Sequence, residues 1–108
     1  MPILSSSGQK RLLKEKIVWF SSIRRNEFPH LVPIWFVWVN KSLYIATEKK
    51  SVKVGNVQSN PNVSTCLEDG LRALICNGTA TLLEVSEMTS VQQQGVIKGF
   101  EAKYNWNL

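Results

Sequence analysis

The fold of this chain is decided by residues 29–61, PHLVPIWFVWVNKSLYIATEKKSVKVGNVQSNP. Two runs rich in Val, Ile, Trp, Phe and Tyr flank Asn40-Lys41, a pattern typical of a β-hairpin. Ser51 stands where a helix N-cap would, and Lys53 falls in the first turn of the short helix that follows. Thr47 ends the second run. Two hydroxyls, a lysine and a helix N-terminus together predict a binding site for a phosphate group.

Length and composition predict one small globular domain over residues 1–108. Hydrophobic residues make up 44% and charged residues 19%, which excludes a disordered chain. No apolar run approaches the ~20 residues of a membrane helix. The N-terminus lacks the continuous apolar core of a secretory signal. We therefore expect a cytoplasmic protein with no membrane partner.

The net charge of +5 indicates an anionic partner. Basic residues cluster at 10–16, 24–25 and 49–53, and only the third cluster coincides with a strand-to-helix junction. A phosphorylated small molecule is therefore favoured. Nucleic acid is disfavoured because the tryptophans at 19, 35 and 38 lie within apolar strands and are not interleaved with Lys or Arg.

Metal-ligating residues are sparse. Cys66 and Cys76 match no ligand spacing, and His30 is the single histidine. We expect no metal site and interpret both cysteines as small buried hydrophobic residues. His30 is interpreted as a strand residue at the rim of the sheet, and no side chain has the pattern of an independent catalytic group.

The remaining pattern predicts flanking helices and five strands. The first helix runs from Ser5 or Ser7 to Lys16, with Leu12 and Leu13 facing inward. The last covers residues 86–104, capped by Ser86 or Ser90. The strands are expected at 17–23, 29–39, 43–47, 63–67 and 72–83, with a bulge at Gly78. Such an arrangement is a mainly β, α+β fold built as an antiparallel barrel-like sheet.

Both faces of the second strand, 29–39, are mostly apolar, so neither is expected to face water. In a small barrel one face fills the interior. The other needs a helix or a second chain, and a homodimer is the arrangement we expect.

Thr47, then Ser51-x-Lys53, then Asn56, then Asn60-Pro61-x-Val63, placed after this hairpin, resemble the pyridoxamine 5'-phosphate oxidase-like family of FMN-binding split barrels. The resemblance extends from about residue 17 to residue 84. It implies an antiparallel split β-barrel, a homodimer, and flavin mononucleotide (FMN) bound in clefts between subunits. It also implies a flavin-dependent oxidoreductase acting on a small-molecule substrate.

The resemblance assigns the cofactor contacts residue by residue. Thr47, Ser51 and Lys53 would hold the phosphate. The isoalloxazine ring would be lined by four residues of the second strand and one of the third, namely Val32, Pro33, Ile34, Trp35 and Ala46.

Three features depart from the family pattern. Val52 stands where the oxidase has an arginine, and Leu31 where it has a basic residue, although Lys49 and Lys50 offer partial compensation. Pyridoxamine phosphate is therefore not the expected substrate. The chain also stops soon after the last helix, which indicates a missing final strand or C-terminal truncation, with residues 103–108 as the start of an absent segment.

Three alternatives stay open on the sequence. One is a relative that binds deazaflavin, since a similar basic phosphate site would serve it. Another is a haem-binding relative, for which His30 is the available histidine. The third is a degenerate, non-catalytic split barrel used for binding or dimerisation.

Overall fold

The computed structural model describes residues 4–108, so the first three residues of the predicted domain lie outside the described part. The helices are α1 (Ser6–Lys14), α2 (Val52–Ser59) and α3 (Ser90–Tyr104). The strands are β1 (Val18–Ile23), β2 (Pro29–Ile34), β3 (Val37–Val39), β4 (Ser42–Tyr44), β5 (Asn62–Leu67) and β6 (Ile75–Thr79). Short 3₁₀ turns cover Gly70–Arg72 and Val85–Glu87.

All strand pairs are antiparallel. β2, β1, β5 and β6 form a four-stranded sheet in that order, and β3 pairs with β4. The predicted α+β class with antiparallel strands and flanking helices is confirmed. Asn40 and Lys41 both have left-handed φ angles, 49° and 65°, which a two-residue type I′ hairpin requires.

The predicted strand 29–39 is broken at Trp35-Phe36, which is a correction. At the break, backbone groups bond to side chains of α3 instead of to a strand. The Phe36 N–H donates to the Tyr104 hydroxyl at 2.9 Å, and the Phe36 carbonyl accepts from Lys103 and Tyr104. Because α3 satisfies these groups, the chain can leave one sheet and enter the other here.

Other boundaries also differ from the prediction. β4 ends at Tyr44 and not at residue 47, and β6 covers only Ile75–Thr79. Gly78 pairs with Val63 in a regular register, so it forms no bulge.

The helix ends follow from their caps. Ser5 caps α1, and Leu12 is buried while Leu13 is exposed, since adjacent helical residues point about 100° apart. Thr89, and not Ser86 or Ser90, caps α3. Its hydroxyl accepts from the Gln92 N–H while the Gln92 side chain accepts from the Thr89 N–H, a capping box.

The core has two parts. One joins Leu12, Val18, Phe36 and Leu67. In the other, α3 packs on β3 through Phe100, Val96 and Val37. The close approach of α3 to β3 depends on Gly95, where a Cβ atom would lie 2.6 Å from Cγ1 of Val39.

The two cysteines lie on opposite faces of the sheet. Cys76 pairs with Thr65 and Cys66 with Ile75, so adjacent positions of β5 project the two thiols away from each other. Both are free and half-buried. No helix within residues 4–108 combines the length and the hydropathy needed to cross a membrane.

Candidate phosphate-binding site

Two hydroxyl groups meet at the N-terminus of α2. Ser51 caps the helix, and its Oγ accepts from the Val54 N–H at 3.4 Å. Thr47 lies in the loop beyond β4, and its Oγ1 is 3.0 Å from the Ser51 Oγ. The predicted pair of hydroxyls is therefore assembled, next to backbone N–H groups that an anion can use.

Lys53 lies in the first turn of α2 and is half-buried. Among residues 4–108 no carboxylate forms an ion pair with it. Lys49 differs, because its Nζ lies 2.8 Å from Glu84 Oε1 and this contact raises the pKa of Lys49. Lys49 was expected to compensate for Val52, but it already has an anionic partner, whereas Lys50 and Lys53 form no ion pair among residues 4–108.

α2 is fixed to β1 by polar contacts. The Asn56 side chain donates to Ser22 Oγ at 3.0 Å, and both residues are buried. At the end of the helix, Arg25 Nε donates to Ser59 Oγ at 3.0 Å. Asn56 follows Lys53 by three residues, so this anchoring also fixes the position of Lys53 over the sheet.

His30 lies on β2 directly opposite Ser22, on the face that α2 covers. Its Nδ1 is buried and has no hydrogen-bond partner among the described residues. Burial is the largest cause that lowers the pKa of His30, followed by the positive charges of Arg24 and Lys53. The neutral imidazole is therefore favoured near pH 7.

The residues proposed to line a ring alternate between the two faces of the sheet. Val32 and Ile34 are half-buried on the inner face, where Ile34 packs on the first core cluster. Pro33 is exposed on the other face, and Trp35, which follows the end of β2, is exposed and stacks on Tyr104. These side chains therefore do not line one common surface. Val32, Pro33 and Ile34 share β2, an edge strand whose outer backbone groups face away from β1.

Antiparallel pairing of β3 with β4 sends the chain after Tyr44 back toward the break between β2 and β3. Ala46 and Thr47 lie in this returning segment and are exposed. The hairpin thus connects the ring-lining candidates to the hydroxyl pair, and each of the eight candidates is either exposed or half-buried.

The sequence analysis did not identify Lys103 and Tyr104 of α3 as residues that stabilise this region. Lys103 Nζ donates to the carbonyls of Leu12 and Phe36 at 3.1 Å and lies 3.5 Å from the Phe36 ring centroid. Burial lowers the pKa of Lys103 to about 8, partly offset by Glu15. Burial likewise raises the pKa of Tyr104.

Two aromatic residues near the C-terminus, Tyr104 and Trp106, pack on Trp35 and Phe100. Trp35 stacks on Tyr104 with ring centroids 4.4 Å apart, and Trp106 contacts Trp35 and Phe100 edge-on. Phe100 and Tyr104 are four residues apart on one helix face, and this spacing was the sequence signal that could have predicted the aromatic packing.

The face of the four-stranded sheet opposite α2 is exposed and mostly apolar, with Ser21 and Ser64 among its apolar residues. We call it the open face, defined by Trp19, Leu31, Pro33, Cys66 and Ile75. Leu31 is 60% exposed and Ile75 62%. A shallow hollow of about 360 Å³ lies on it. Among residues 4–108, no group of three His, Cys, Asp or Glu side chains could hold a metal ion.

The fold is that of an antiparallel split-barrel protein, with two hydroxyl groups and a lysine at the N-terminus of α2. The family model for pyridoxamine 5'-phosphate oxidase matches residues 7–101, and the chain belongs to this family. A search of curated proteins finds no match.

Three similar solved structures support the fold. A conserved hypothetical protein, Rv2991 of Mycobacterium tuberculosis, has a TM-score of 0.76 and 20% identity over 98% of this chain and 68% of its own. The heme storage protein HutZ of Vibrio cholerae has a TM-score of 0.71 and 16% identity over 95% and 77%. A FAD-binding protein of Mesorhizobium loti has a TM-score of 0.70 and 17% identity over 95% and 79%.

Proposed function

We propose that this protein binds FMN and acts as a flavin-dependent oxidoreductase on a small molecule. The observation that carries the proposal is the site at α2, where the hydroxyls of Thr47 and Ser51 lie 3.0 Å apart and Lys53, in the first turn of the helix, has no ion pair among residues 4–108. Hydroxyl, ammonium and backbone N–H donors suit a phosphate monoester. Membership of the family supports a flavin as its carrier.

In this proposal the chain binds and orients the cofactor. Thr47, Ser51 and Lys53 hold the phosphate, while the backbone of residues 32–35 and Ala46 borders the ring. When bound, the flavin supplies the capacity for hydride transfer. No catalytic side chain is assigned. Leu31 and Val52 in place of basic residues favour a substrate other than pyridoxamine phosphate.

We further propose that a second copy of the chain covers the open face. Trp19, Leu31 and Ile75 form an apolar surface that no element within residues 4–108 covers. Such surfaces mark interaction sites, and a two-fold dimer pairs the same patch from both subunits. A cytoplasmic location without a membrane or nucleic-acid partner belongs to the same proposal.

Replacing Lys53 by Ala tests the assignment of the phosphate site. We expect FMN affinity to fall by about 1.5–3 kcal/mol, the contribution of a hydrogen bond to a charged group. The matched control is Lys98→Ala, which removes the same charge from an exposed position on α3. Flavin fluorescence titration of both variants provides the measurement. Equal affinity in the two variants would show that Lys53 does not contact the phosphate.

The absorbance spectrum of the protein titrated in turn with FMN, a deazaflavin and haem separates the alternatives. Haem has one structural argument, the similarity to HutZ, but it needs an axial ligand such as His30. FMN retained through gel filtration supports the proposal. Retention of only deazaflavin or haem would reassign the cofactor, and retention of none would favour a non-catalytic split barrel.

A further inference from the structure

The inner face of the sheet holds an ionisable group that the proposed contacts do not use. His30 is half-buried, and its Nδ1 is buried without a hydrogen-bond partner among the described residues. A buried polar atom without a partner costs free energy, so such atoms usually have a functional or ligand-related reason.

The position of His30 relative to the phosphate site follows from register and anchoring. Its cross-strand partner on β1 is Ser22. Ser22 accepts from Asn56, which lies three residues after Lys53 on α2. The imidazole thus lies on the sheet face that α2 covers, one strand away from the strand that α2 contacts, and the charge of Lys53 acts on it.

Charged groups around His30 come from two elements. Arg24 follows the end of β1, and Lys53 belongs to α2; both are positive. β1 contributes the uncharged Ser22 opposite the imidazole. Two cations near a half-buried imidazole favour an anion at this position, because an anion would neutralise them.

We infer that His30 is part of the anion site and takes up a proton when a phosphate ester binds at Lys53. This inference depends on the proposed function, because it concerns the same phosphate. Without an anion, burial and the two cations oppose protonation. A bound phosphate dianion reverses the sign of the local charge and stabilises the imidazolium, whose N–H groups are both donors.

The direction in which FMN affinity changes with pH follows from the coupling between phosphate binding and protonation of His30. The pKa of free His30 is lowered, so the residue is neutral near pH 7. If binding raises that pKa, affinity must rise as the pH falls through the range between the two values. The phosphate has its own second ionisation near pH 6 and weakens binding at low pH. A variant without the imidazole is therefore the necessary reference.

The first test is an NMR titration of the wild-type protein. His30 is the only histidine, so one imidazole signal reports its ionisation without assignment. The spectrum is recorded across pH for the free protein and with saturating FMN. We expect the pKa of His30 to be higher in the complex. An unchanged pKa in a saturated complex would overturn the inference while leaving FMN binding intact.

The second test compares FMN and riboflavin affinities of the wild type and His30→Gln at pH 7.5 and 5.5. The wild-type to variant affinity ratio for FMN should rise about fivefold at the lower pH, the effect of one solvent-screened ion pair. The ratio for riboflavin, which lacks the phosphate, should not change. A pH-independent FMN ratio would contradict proton coupling. Failure of FMN to bind the wild type at either pH would overturn the proposed function, and the inference with it.

Discussion

β2 and β3 come from one continuous apolar run, yet their surroundings differ. On β3, Val37 and Val39 pack against α3, while Trp38 on the other face packs against the first core cluster. On β2, only one face is covered, and Leu31 on the other is 60% exposed. We call the α3–β3 contact the closed side, in contrast to the open face.

The difference shows what an alternation pattern can and cannot predict. Both halves have apolar residues on two faces, so both require cover. The chain supplies that cover only where α3 can reach, and α3 reaches β3 because Gly95 and Gly99 permit close approach. On our proposal, the open face is covered by a second copy.

The largest expected effect comes from truncating the closed side. Phe100→Ala removes a ring that is 1% exposed and should lower the free energy of unfolding by about 3–5 kcal/mol. Phe28→Ala, where the ring is 67% exposed, should change it by no more than about 0.5 kcal/mol. Urea denaturation measures both. Similar losses would mean that the closed side is not the main packed core.

A smaller effect tests the contact between α3 and β3. Gly95→Ala places a Cβ 2.6 Å from Val39 and should cost about 1–3 kcal/mol through overpacking. Gly55→Ala, in α2, meets no atom within 4 Å and should stabilise the protein by about 0.4–1 kcal/mol. Thermal unfolding of the two variants gives the comparison. A stabilising Gly95→Ala would show that α3 does not pack this closely.

The change in stability with pH that arises from Lys103 of α3 should be smaller still. The pKa of Lys103 is lowered to about 8, so from pH 8 to 10 the unfolded state binds more protons and stability rises with pH. Solvent screening reduces the ~1.4 kcal/mol per pKa unit to a rise of about 1 kcal/mol. Urea denaturation of wild type and Lys103→Met across this range should show the rise only in the wild type. A parallel rise in both proteins would assign it to other groups.

The smallest effect on folding, but a clear one on assembly, is expected for the open face. Leu31→Glu should change the stability of the isolated subunit by about 0.5 kcal/mol or less, since the side chain is already exposed. It should nevertheless abolish the dimer, because a buried unpaired charge is costly at an interface. Sedimentation equilibrium is the measurement, with Leu71→Glu as the control at another exposed leucine. A dimer retained in Leu31→Glu would exclude the open face as the interface.

Local signals predicted the hairpin, the Ser51 cap and the position of Lys53 because each depends on neighbouring residues. The break at Trp35-Phe36 could not be predicted, since it depends on Lys103 and Tyr104 more than 60 residues away. The same holds for the pairing of Lys49 with Glu84, two residues that are distant in the sequence.

The position of His30 is an intermediate case. The sequence placed it in a strand but could not show that register puts it opposite Ser22, on the sheet face that α2 covers. The ring-lining candidates show a similar limit, because a resemblance names residues but not the faces of the sheet that they occupy.

The central claim is that a second copy covers the open face of an FMN-binding subunit. Gel filtration with light scattering and visible absorbance, after incubation with FMN, tests both parts in one experiment. We predict flavin absorbance co-eluting with a mass of twice the 12.2 kDa of one chain. A single 12.2 kDa species that elutes without flavin would contradict the account.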